Sequence, residues 1–257
     1  MQRMHAGVYW QARPGYDRNQ DSLTMQHILL QRGEGLLAVV CDGIGSLESA
    51  EEAGGIVVSR LTGWFYHEGK ELICRNSSKE QILLSLQEQI FQIQELLRYF
   101  QKKEQLQTGT TCSGILFVRN RYYLMHIGDS RIYQFSKPIR IFGREVIRQK
   151  HCVRCLTVDD GDNKGRLQKA LGLAGTDRAI VQTGKIKRRS GFLVCTDGFY
   201  RKLPMETTAH VLRGLLERKK ADREIGAMLE RRLEQLGRLA LENGSRDDMS
   251  AIGILIL

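Results

Sequence analysis

Four short acidic turns abut hydrophobic runs in this 257-residue chain: VVCDG with Asp42, HIGDSR with Asp129, LVCTDG with Asp197, and SRDDMSAIGI with Asp247 and Asp248. Carboxylates at strand ends are held on rigid backbone. Several that converge repel one another unless a cation neutralises them, and all-oxygen donors of this kind suit Mg²⁺ or Mn²⁺. Gly43, Gly128 and Gly198 stand beside them and permit a metal or ligand to approach the backbone closely. A single Asp-Gly pair marks only a turn. Four acidic turns in one chain, each against an apolar strand, argue for a site.

Other chemistries fit less well. AVVCDGIGSLESAEEAGG offers Gly43-x-Gly45 between a strand and a helix, as a dinucleotide-binding turn would. The third glycine of that motif falls on Glu48, and Asp42, Glu48, Glu51 and Glu52 place negative charge where a pyrophosphate would sit. No Walker A pattern occurs. Cys41, Cys112 and Cys195 lie in apolar or small-residue runs and read as buried free thiols. Cys152 and Cys155 form a lone C-x-x-C after His151, with no second pair to complete a zinc site, and read as a surface coincidence. The histidines show no paired metal spacing; His126 reads as a packed strand residue, and Trp10 and Trp64 as core.

The elements that must position the aspartates follow from periodicity. GVYWQA, SLTMQHILL and LLAVVC predict strands, the last a continuous apolar run suited to burial on both faces. Ala50, Ala53, Val57, Val58, Leu61 and Trp64 recur at helical spacing, as do Leu83, Leu86, Ile90, Ile93, Leu97 and Phe100 in a longer helix that Ser77 or Ser78 could cap. CSGILFV, YYLMHIG and RIYQF predict an antiparallel meander, its first turn suited to Asn120. A short helix is expected around Gly165 to Leu171, then the strand FLVCTDG, two helical stretches of which the second carries Leu229, Leu233, Leu236 and Ala240, and a last strand, MSAIGILIL. Strands and helices come in blocks, which predicts an α+β fold of antiparallel sheets covered by helices.

Composition sets the outer bounds. With 42% hydrophobic residues and only three Pro, the chain is neither disordered nor collagen-like. One domain spanning 1–257 is expected, since neither a repeat nor a linker interrupts it. The amino terminus lacks a signal-peptide core and no apolar run is long enough to span a bilayer, so a cytoplasmic protein without membrane attachment is expected. The 39 Lys+Arg against 29 Asp+Glu leave a net charge of +10. Nucleic-acid binding lacks aromatic-rich or helix-turn-helix support, and no nucleic-acid partner is expected.

The ordered set RNQDS (18–22), VCDGIGS (40–46), TGTTCSG (108–114), IGDSRIYQ (127–134), RLQKALG (166–172), VCTDGF (194–199) and SRDDMS (245–250) resembles the metal-dependent Ser/Thr protein phosphatases of type 2C, the PPM family, and in its brevity the bacterial branch. The resemblance spans nearly the whole chain. It implies two packed antiparallel β-sheets flanked by helices, an α-β-β-α sandwich. It implies hydrolysis of phosphoserine and phosphothreonine in proteins phosphorylated by a Ser/Thr kinase, with two or three Mn²⁺ or Mg²⁺ ions activating water. Asp42, Asp197 and Asp247 would be the catalytic metal ligands, with Asp42 bridging and the Gly43 carbonyl on one ion. Asp21 would hold a water at the metals, and Asp129 with Asp197 would form a third, weaker site. Thr110 and Thr111 would support the strands.

The chain departs from that pattern at several positions. Gln20 stands where the family has Glu, Tyr16 where it has a phosphate-binding arginine, and Asp248 where it has Asn. Arg13 or Arg18 could replace the arginine, with Arg18 taken as the phosphate ligand. Ile44 cannot donate a proton, so a water at the metals is expected to protonate the leaving oxygen. Tyr16 and Gln20 also suit an alternative, a pseudophosphatase acting as a binding or regulatory module; retention of Asp42, Asp197 and Asp247 weighs against it. The basic excess, carried by residues 137–154 and 185–189, would then steer acidic phosphorylated substrates.

Overall fold

Long apolar runs form the sheets, and helical stripes cover them. In the computed structural model the described residues are 3–31, 33–45, 47, 49–137, 140–141, 144–145, 152–162, 166–175, 179–218 and 224–257. The first half contains β1 (Met4–Gln11), β2 (Ser22–Leu30), β3 (Gly33–Cys41), α1 (Ala50–Trp64), α2 (Lys70–Cys74), α3 (Lys79–Glu104), β4 (Cys112–Val118) and β5 (Arg121–Ile127). Then come β6 (Arg131–Ser136), β7 (Arg140–Ile141), β8 (Arg144–Glu145), β9 (Val153–Cys155), β10 (Ile180–Lys185) and β11 (Ser190–Cys195). The chain closes with α4 (Asp197–Tyr200), α5 (Met205–Arg213), α6 (Ile225–Glu242) and β12 (Met249–Ile256).

Two compact units result. One comprises Arg18–Ser130 and Asp159–Ile186. Its antiparallel sheet runs β10-β5-β4-β3-β2, and α1 and α3 bury their stripes on one face. Leu37, Val39 and Cys41 point to the helices with Leu61, Leu86 and Leu97, while Leu36, Val40 and Phe117 on the opposite face are buried too. Ser78 caps α3 reciprocally: its Oγ accepts from the Gln81 amide at 3.3 Å while its own amide donates to Gln81 Oε1 at 2.8 Å. The β4–β5 turn is tight, as expected, but the left-handed residue is Arg119 (φ 58°) rather than Asn120.

The other unit comprises Met1–Asp17, Arg131–Val158 and Lys187–Leu257. Its antiparallel sheet runs β1-β12-β11-β6-β9, with α5 and α6 packed on Leu193, Ala251 and Leu255 through Leu212, Leu229 and Leu233. The expected α+β class, two antiparallel sheets with helices, is what forms.

Three local expectations fail. Residues 166–171 are not helical: Leu171 pairs with Thr110 through two backbone hydrogen bonds of 3.0 and 2.9 Å, and Gly172 turns at φ 92°. Trp10 is 52% exposed on edge strand β1, while Trp64 is buried. Cys152 is buried while Cys155 is exposed, so only one cysteine of the C-x-x-C pair lies at the surface, and neither is in a disulfide. Much of the basic stretch 137–154, with His151, lies outside the described residues.

Leu86 is fully buried and Phe91 is 56% exposed on the same helix. Leu86→Ala is expected to cost about 2–5 kcal/mol, and Phe91→Ala less than about 0.5 kcal/mol, in urea denaturation. Equal losses would contradict the assignment of the buried face.

Candidate metal centre

In the Arg18–Ser130 unit the register gathers the acids at one sheet end. Ser22 pairs with Cys41, Val40 with Ser113, and Cys112 with Ile127, so one step beyond the ladder Asp21, Asp42, Thr111 and Gly128 form a row. Cys41 points to the helices, so Asp42 projects from the opposite face. Hydroxyls fix its backbone. The Asp42 amide donates to Thr111 Oγ1 at 2.9 Å, and the Asp42 carbonyl accepts from the Thr111 amide at 2.9 Å and from Thr110 Oγ1 at 3.0 Å.

The residue after Asp129, Ser130, joins the same network. Thr111 Oγ1 lies 2.9 Å from Ser130 Oγ, and Ser113 Oγ donates to the Ser130 carbonyl at 2.9 Å. With that proton committed, Ser113 Oγ accepts from His126 Nδ1, 2.8 Å away, which sets the tautomer of this buried histidine. The turn before Asp129 is clamped by Asp160: the Gly128 amide donates to Asp160 Oδ2 at 3.1 Å and the Asp160 amide to the Gly128 carbonyl at 2.8 Å. Gly128 has φ 110°, and a Cβ there would stand 2.6 Å from Thr111 Cβ, so glycine is required. A Cβ on Gly43 would stand 2.7 Å from the Gln20 carbonyl oxygen, another place where backbone crowds the acids. Asp21 is buried, and its amide donates to Asn19 Oδ1 at 2.8 Å. Burial first, then the Cys112 thiol, then Asp21 and Asp42 push the Cys41 thiol well above its usual range, so it is no nucleophile.

The other unit gathers its own acids. β11 runs through Thr196 into α4, and Thr196 is tied to β12 by its amide to the Ser250 carbonyl and by the Ser250 amide to its Oγ1, both 3.0 Å. Asp197 thus opens α4 beside the 247–248 turn. A Cβ on Gly198 would stand 2.1 Å from the Asp248 carbonyl oxygen and 2.9 Å from Asp247 Cβ, so only glycine fits there. Asp197 and Asp248 are buried and Asp247 is exposed. Asp248 Oδ1 accepts from the Arg13 amide at 2.8 Å, and the Asp248 amide donates to Asp247 Oδ1 at 3.0 Å. The Arg13 guanidinium lies 3.9 Å from the centre of the Tyr16 ring, and its Nε is buried with no hydrogen-bond partner among the described residues. Arg18 is exposed.

Each unit therefore presents oxygen donors on fixed backbone, the donor type that hard divalent cations take. A groove of about 1260 Å³ between α1 and α3, lined by Gly55, Ser59 and Gly63 among others, contains none of these aspartates. Sequence reasoning missed the Asp160 clamp, the hydroxyl chain from Ser113 to Ser130, and Arg201, whose Nη2 lies 3.0 Å from Asp197 Oδ2. The Asp-x-x-x-Arg spacing was the available signal for the last.

The residues from 16 to 236 match the family model described as Protein phosphatase 2C. The chain belongs to that family: it is a metal-dependent protein Ser/Thr phosphatase, a hydrolase that acts on phosphoproteins. Solved bacterial structures share the fold. The catalytic domain of the serine/threonine phosphatase PstP, in complex with two manganese ions, has a TM-score of 0.71 at 19% identity, with 100% of each chain covered. The S. agalactiae serine/threonine phosphatase has 0.75 at 17%, covering 99% of this chain and 100% of that one. PppA of Pseudomonas aeruginosa, a regulatory component of T6SS, has 0.72 at 16%, covering 99% and 98%. No curated protein sequence matches the chain. Among the described residues no helix is long and apolar enough to cross a membrane.

Thr111→Val keeps the side-chain shape but leaves the Asp42 amide without its acceptor. It is expected to lower unfolding free energy by about 1–3 kcal/mol in urea denaturation. A stability equal to that of the unsubstituted protein would contradict the role given to this hydroxyl.

Proposed function

We propose that the aspartates of the two units hold one pair of Mn²⁺ or Mg²⁺ ions, and that 1–257 works as a single catalytic domain on phosphoserine and phosphothreonine. Asp42, Asp197 and Asp247 would be the ligands, with the Gly43 carbonyl as a fourth donor. The observation that carries this reading is the row Asp21, Asp42, Thr111 and Gly128 at one sheet end, matched in the other unit by Asp197, Asp247 and Asp248 around Gly198. The ions supply activation of water as a nucleophile and neutralisation of charge on the phosphoryl oxygens.

The chain's own residues do the remaining work. Asp21, buried and held by Asn19, orients the attacking water as a hydrogen-bond acceptor. Thr110 and Thr111 fix Asp42 so that no reorganisation is needed during reaction. For the phosphate we assign Arg13 in place of Arg18. Arg13 is anchored through its amide to Asp248, and the Tyr16 ring orients its planar fork, whereas Arg18 is exposed. Lys185, Lys187, Arg188 and Arg189 are exposed and supply a positive field for acidic phosphorylated substrates. The setting is cytoplasmic signalling opposite a Ser/Thr kinase.

The test is hydrolysis of a phosphothreonine peptide by the purified chain with and without Mn²⁺. Asp42→Ala and Asp197→Asn are expected to lower kcat on the order of a hundredfold or more. Arg13→Ala is expected to raise KM more than it lowers kcat, as loss of a substrate contact does. An inactive wild type would favour the binding-module alternative, and full activity in both Asp variants would overturn the site.

A further inference from the structure

Asp197 opens α4, and one helical turn on stands Arg201. Its Nη2 lies 3.0 Å from Asp197 Oδ2, and its amide donates to the Asp197 carbonyl at 2.8 Å. The acid side chain is 9% exposed and the base 52%, so the carboxylate lies inside and the guanidinium toward solvent. The intervening turn is firmly seated: Phe199 and Tyr200 are buried, and the Arg131 guanidinium lies 4.2 Å from the centre of the Tyr200 ring. Arg201 is thus held where it meets Asp197.

A guanidinium keeps its charge at all working pH values, and two cations at one carboxylate oxygen repel each other. We propose that Arg201 supplies, as a fixed side chain, the positive charge that a third metal ion would bring to Asp197. The centre then holds two ions, and metal entry at Asp197 competes with the arginine. This rests on the reading of Asp197 as a metal ligand given above, and it replaces the third site expected at Asp129 and Asp197.

Calorimetric titration with Mn²⁺ tests it without an activity readout. The wild-type protein is expected to bind two ions. Arg201→Ala is expected to gain a third, weaker site and to bind its weakest original ion up to roughly fivefold more tightly, while Arg201→Lys stays at two. Arg201→Gln, uncharged and close in length, serves as the second variant should the alanine variant fail to fold. Three ions on the wild type, or number and affinity unchanged in the uncharged variants, would overturn the proposal. A wild type that binds no Mn²⁺ would instead overturn the metal-site reading beneath it.

Discussion

Like charges on immobile backbone cannot relax by moving apart. Asp42, Asp129 and Asp197 each follow a buried strand or open a short helix, on backbone pinned by hydrogen bonds. Asp42 is held through Thr110 and Thr111, the turn before Asp129 through Asp160, and Asp197 through the Thr196–Ser250 pair. Two side chains can relax such repulsion only by protonation or by sharing a cation. The metal centre proposed above takes the second route.

The fold meets that constraint with sheet ends rather than loops. Strands buried on both faces fix the direction of whatever follows them, and β3, β4, β11 and β12 are buried throughout or nearly so. Glycines then let the turns close on one another, since side chains at Gly128 and Gly198 would collide with Thr111 and the Asp248 backbone. The positions next to the acids tolerate little change, and the exposed faces of α1 and α3 are under no such demand. The Arg201–Asp197 pair applies the same electrostatics from within the chain, one carboxylate being partly neutralised by a neighbouring side chain before any ion arrives.

Much of this was legible in sequence because it is periodic. The α1 and α3 stripes, the capping serine, and the continuous apolar runs that became β3, β4, β11 and β12 follow from spacing alone. β10 was not, because IVQTGK is mostly exposed or half-buried and carries no long apolar run. Residues 166–171 carry enough apolar residues to suggest a helix, but pairing with Thr110, 61 positions earlier, decided their conformation. Trp10 reads as core by type, yet it sits on an edge strand. At the site, the Asp-Gly turns announced the acids, whereas Asp160 and the Ser113–Ser130 link depend on contacts no local pattern records.

The central claim is that both acidic sets serve the same ions. A crystal structure grown with Mn²⁺, with anomalous data at the manganese edge, tests it most directly. The account predicts two anomalous peaks, with Asp42 bound to both and Asp197 and Asp247 completing the coordination of one. Peaks confined to the acids of a single unit, or ions bound away from Asp42, would contradict it.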